Sequence, residues 1–86
     1  MKKIQIDYKN DIYEVNVTYI NAFPYGYYKI EWDNAELLKI IASPVYISSN
    51  KEGGLSIPYC TNLAELTLLF SITSGIFTNL IFKNIL

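Results

Sequence analysis

Residues 62–86 read NLAELTLLFSITSGIFTNLIFKNIL, and between Leu63 and Phe82 they carry a single charged side chain, Glu65. A stretch this apolar must be buried by the rest of the chain, shared with another chain, or placed in a bilayer, because leaving it in water forgoes most of the hydrophobic stabilisation it offers. Which of these happens decides the class of protein. Asn62 followed by Glu65 has the spacing of a helix start, the Asn side chain capping free amides and the Glu reaching back to complete the box. At about 100° per residue, Leu63, Leu66, Leu69, Phe70, Phe77, Leu80 and Ile81 fall in one arc, with Thr67, Ser71, Ser74 and Thr78 opposite and Leu68, Ile72 and Ile76 widening the apolar side. A competing strand pattern, Leu66, Leu68, Phe70 and Ile72 alternating with polar residues, is spoiled by Leu69. The spacing predicts a helix that weakens near Ser74-Gly75, since Gly is costly inside a helix and favoured just past its end.

An unbroken helix over the 24 residues after the cap would be about 36 Å long, at 1.5 Å per residue. Nine residues of strand reach at most about 30 Å. The helix therefore either breaks near Gly75 and folds back, or its end packs on a second copy. The second outcome implies a homodimer whose interface contains Phe77, Leu80, Ile81 and Phe82.

What precedes this segment reads as an antiparallel meander. Ile4, Ile6 and Tyr8 alternate with Gln5 and Asp7, and Lys9-Asn10-Asp11 supplies turn chemistry. Over Ile12–Ile20, Tyr13, Val15, Val17 and Tyr19 face one way and Glu14, Asn16 and Thr18 the other. Phe23-Pro24-Tyr25-Gly26 suits a type I turn. Tyr27–Trp32 forms a third strand with Tyr28, Ile30 and Trp32 inward. Asp33 or Asn34 can cap a short helix over Ala35–Ala42, which Pro44 stops. Two further short strands, Val45–Ser48 and Leu55–Ile57, flank the polar loop 49–54. The expected fold is one α+β domain over residues 1–86: a small antiparallel sheet of three to five strands, covered by a short helix and by a long or Gly75-broken apolar C-terminal helix.

Composition narrows the function. Eighty-six residues that are 51% hydrophobic and 15% aromatic carry more apolar surface than a small domain readily buries, which favours oligomerisation. Seven lysines against eight acids, interspersed along the chain, give a net charge of −1 and leave no basic patch for nucleic acid. There is no Arg and no His, which removes the bidentate anion clamp and the commonest general base and metal ligand. Cys60 has no His to pair with and reads as a small buried hydrophobe. Glu31, Asp33 and Glu36 are the closest carboxylates, but helix capping and solvation account for them better than a metal. Asn16-Val17-Thr18 matches a glycosylation acceptor, but it lies in a strand. No catalytic residue, cofactor or metal site is expected. The Ile-, Asn-, Lys- and Tyr-rich usage fits an AT-rich genome, as of a phage or mobile element.

The densest constellation is the aromatic run around the first Pro, where Phe23, Tyr25 and Tyr27 offer rigid contact area for a protein partner. The sequence therefore points to a non-enzymatic interaction module, an oligomeric regulator, inhibitor or adaptor acting on another protein inside the cell. Met1-Lys2-Lys3 is not followed by an apolar core, so no signal peptide is expected. The rival reading is a membrane-tethered protein anchored by residues 63–82, long enough to span a bilayer. Its recurring Thr, Ser and Asn and its single basic flank, Lys83, weigh against that reading.

Overall fold

The computed structural model describes residues 2–50, 52 and 54–81, the last of these by its backbone alone. The fold is α+β: a five-stranded antiparallel sheet that curls around a short helix and an apolar C-terminal helix. The strands are β1 (Lys2–Tyr8), β2 (Asp11–Ile20), β3 (Tyr27–Glu31), β4 (Val45–Ser49) and β5 (Leu55–Ser56), with α1 (Ala35–Leu38) between β3 and β4 and α2 (Leu63–Ile76) after β5. Their order in the sheet is their order in the chain.

The meander follows from alternation and turn chemistry. Tyr8 lies opposite Asp11, so Lys9 and Asn10 alone make the turn, with φ of 50° and 65°. Two consecutive positive φ values define the mirror-image turn whose twist matches paired strands. From this turn the register runs Ile6 to Tyr13, Ile4 to Val15 and Lys2 to Val17. Ile4, Ile6, Tyr8, Val15, Val17, Ile30, Val45 and Ile47 are all buried on one face, as the period of two requires.

α1 is shorter than the predicted helix. Asn34 rather than Asp33 caps it, its Oδ1 accepting from the amides of Glu36 at 2.9 Å and Leu37 at 3.2 Å. The amides of Ile40 and Ile41 both turn back to the Leu37 carbonyl, so the chain tightens and leaves the helix there. The Ser43–Pro44 and Phe23–Pro24 peptides are cis.

α2 is capped as its sequence predicts, Asn62 Oδ1 accepting from the Glu65 amide at 2.9 Å. The return contact reaches one residue further: Glu65 accepts from the Thr61 amide at 3.0 Å and the Thr61 hydroxyl at 2.7 Å. The helix does not break at Gly75. It runs on into a π-helical turn, Phe77–Ile81, where the Asn79 side-chain amide donates to the Gly75 carbonyl at 2.9 Å.

The buried face of α2 is one part of the apolar side its wheel predicts: Leu69 and the widening residues Leu68, Ile72 and Ile76 go in, while the Leu63 and Phe70 part of the arc stays out. Leu68, Leu69, Ile72, Gly75 and Ile76 are buried, while Leu63 and Phe70 are 76% and 53% exposed. The centre of the buried face lies nearly half a turn, at ~100° per residue, from Leu63, Phe70 and Phe77. With apolar residues nearly all round, hydrophobicity hardly distinguishes the faces; closeness of approach does. A Cβ at Gly75 would lie 2.9 Å from Ile6 Cγ2 and 3.3 Å from Ile4 Cδ1. Gly75 is where the helix meets β1, so it serves packing rather than termination.

Candidate functional site

The curled sheet has two ends, and α2 and α1 do not cover them equally. At one end Tyr8, Trp32 and Leu37 are buried, and the Tyr13 hydroxyl donates to Glu36 Oε2 at 2.9 Å, tying β2 to α1. That bond, followed by burial and by the charges of Glu36, Asp11 and Tyr8, raises the Tyr13 pKa, because each disfavours the phenolate.

At the other end the inward-facing residues are Tyr19 and Tyr28, whose rings sit 5.0 Å apart and tilted. No helix caps them. Between them and the end of α2 lies an open cleft of about 630 Å³, lined by Val17, Tyr19, Tyr25, Tyr28, Ser49 and Leu80, with Lys2 and Thr18 completing the wall. Tyr28 is half-buried, and its pKa is raised first by burial and then by the neighbouring Tyr19. Aromatic walls with a few hydroxyls and one ammonium are suited to an apolar or aromatic side chain that also brings a polar end.

Beside this cleft stands the turn after β2. Gly26 has φ +80°, and a Cβ there would collide with the Tyr19 hydroxyl. The same hydroxyl donates to the Tyr25 carbonyl at 3.2 Å. Tyr19 thus fills the space under the turn and fixes its backbone. Held this way, the turn leaves Phe23 100% exposed and Tyr25 45% exposed.

Of the three residues singled out as a partner surface, the structure puts Tyr25 in the cleft wall and Phe23 at the neighbouring tip. Tyr27 points to the opposite face of the sheet, where its ring meets that of Tyr46 at 5.7 Å, edge to face. Tyr19 and Tyr28 are the residues the sequence reading left out of the site. Alternation does place them inward; what it does not reveal is that no described element covers them.

The residues named as a dimer interface are divided. Leu80 is half-buried, packs against the core and lines the cleft, and Phe77 is half-buried. The Ile81 side chain and Phe82 lie outside the described residues. Glu31, Asp33 and Glu36 are engaged separately: Glu31 lies 3.9 Å from Lys29 Nζ, Glu36 accepts from Tyr13, and Asp33 is exposed. Among the described residues, no three His, Cys, Asp or Glu side chains gather as a metal site. Cys60 is half-buried, its thiol directed at the Pro58 carbonyl at 3.4 Å. No family model matches the chain, and neither a curated protein nor a solved structure resembles it.

Proposed function

We propose that this chain is a non-enzymatic protein-interaction module, a small regulator, inhibitor or adaptor that grips a partner protein with the turn at residues 23–25 and the aromatic cleft beside it. The observation that carries this reading is Phe23: a full benzyl group in water on a turn held by Tyr19 and Gly26. Burying such a side chain yields about 1.5–3 kcal/mol, which the fold leaves unused and a partner can collect without paying to order the turn. The cleft offers the reciprocal contact, a recess for one side chain of the partner. Self-association belongs to the same reading, since Leu63 and Phe70 add exposed apolar surface on α2.

The rival reading makes α2 a membrane anchor, and residues 63–80 are long and apolar enough to cross a bilayer. Against it stand Leu68, Leu69, Ile72 and Ile76, whose burial supplies the cover of the sheet. Drawing α2 into lipid would uncover Ile4 and Ile6 to water. An intracellular module with α2 as its core is the reading we favour.

The test is a photo-crosslinking residue placed at position 23 in the native cell, with Ile12, 67% exposed at the opposite end, as control position. A discrete heavier adduct from position 23, absent from position 12 and weakened by Tyr25→Ala, is expected. No adduct, or the same adducts from both positions, would remove the basis for the reading.

A further inference from the structure

The sheet has two edges, and they differ. β5 is two residues long, too short to template pairing, whereas β1 offers seven residues without Pro. Because the Lys9-Asn10 turn is closed by Tyr8 and Asp11, that pair exchanges both hydrogen bonds, and the alternation continues through Ile6, Ile4 and Lys2. The N–H and C=O groups of Lys3, Gln5 and Asp7 therefore point away from β2. The Gln5 carbonyl lies 3.5 Å from where a Gly75 Cβ would be, on the α2 side of that edge. Among the described residues these outward groups have no hydrogen-bond partner. A groove of about 470 Å³ runs between this edge and the flank of α2, where Thr67, Ser71, Ser74 and Thr78 present small side chains, with Phe70 and Asn79 at the margins of that row.

We propose that the β1 edge pairs with the β1 edge of a second copy, antiparallel about a two-fold axis at Gln5, joining two sheets into one of ten strands. The occupant is chosen by charge. In this register Lys3 faces Asp7 of the other copy, Gln5 faces Gln5 and Asp7 faces Lys3, so both ends of the strand find opposite charges. The same register opposes the residues whose backbone groups point outward, giving six interchain hydrogen bonds, two at each of the three pairs. A slip of two residues toward the turn would set Lys3 against Lys9, and a slip the other way would set Lys3 against Gln5. α2 runs beside β1, so the two-fold also brings α2 toward its copy along Thr67, Ser71, Ser74 and Thr78. Small side chains there let the two helices come close. This inference rests on the self-association part of the function above and makes no use of Phe23 or the cleft.

Charge exchange tests it by sedimentation equilibrium on the full chain at low salt. The wild type is expected to dimerise, Lys3→Asp and Asp7→Lys each to raise the dissociation constant about tenfold by opposing like charges, and the double exchange to restore it. Lys3 also lies 3.7 Å from Glu14, but that pair is exposed, so its loss changes folding little. Gln5→Pro removes an outward amide without touching the bonds to β2 and is expected to abolish the dimer. Circular dichroism on each variant checks that the sheet persists. A monomeric wild type, a dimer indifferent to Gln5→Pro, or a double exchange no tighter than the single ones would overturn the proposal. The adduct from position 23 would be unaffected by that result.

Discussion

The two ends of the curled sheet start from the same materials and finish differently. Tyr8 and Tyr13, 6.3 Å apart, occupy one end; Tyr19 and Tyr28, 5.0 Å apart, occupy the other. All four lie on the inner side of alternating strands. At the first end Leu37 of α1 is buried and Tyr13 bonds to Glu36; at the second no described element covers the pair, and the turn sends Phe23 outward. Alternation thus decides which side chains face in, and the lid decides whether they become core or contact surface.

If the closed end is core, the largest loss should come from Leu37, which has no exposed surface. Leu37→Ala is expected to lower unfolding stability by about 3 kcal/mol, read by urea denaturation. A loss under about 1 kcal/mol would mean that α1 is a loose flap and the two ends are alike. Gly75→Val comes next. Its branched side chain would drive into Ile4 and Ile6, at an expected cost of about 2 kcal/mol, and a stabilised variant would show that helix propensity rather than close approach governs that position.

Asn34→Ala should cost about 1 kcal/mol, since it strips the cap from the lid but leaves Leu37 in place. Its effect should fall on the Tyr13–Glu36 bond and spare the Tyr19–Tyr25 bond, which tyrosine-resolved NMR can separate. The smallest effect is one of pH. Glu65 is held below the usual carboxylate range by the Thr61 amide and hydroxyl. A depressed folded pKa contributes stability that is present above the unfolded value and is lost as pH falls through the folded one. Melting temperature should therefore fall slightly more between pH 5 and pH 3 in the wild type than in Glu65→Gln, and equal slopes would show that the cap carries no charge dependence.

The sheet was legible because each signal was local: Ile4, Ile6 and Tyr8 alternate, Lys9-Asn10 turns, and the register follows from those two facts. The start of α2 was legible for the same reason, through Asn62 and Glu65. Its facing was not, because Leu63 and Phe70 on one side and Leu68 and Ile76 on the other have similar hydrophobicity, and the choice between them rests on the fit of Gly75 against β1. The candidate site was half legible. Phe23 and Tyr25 stood out as an aromatic turn, but the role of Tyr19 as both its prop and a cleft wall depends on a hydrogen bond from its hydroxyl to a carbonyl six residues on and on how Leu80 is brought beside it.

The most direct test of the account is the unfolding free energy of Phe23→Asp beside that of the wild type. If Phe23 is held out for a partner, the charged side chain should cost less than about 0.5 kcal/mol, as surface substitutions do. A loss above about 2 kcal/mol would mean that the ring is buried within the chain in solution, and the open end would then be a second closed one with no anchor to offer.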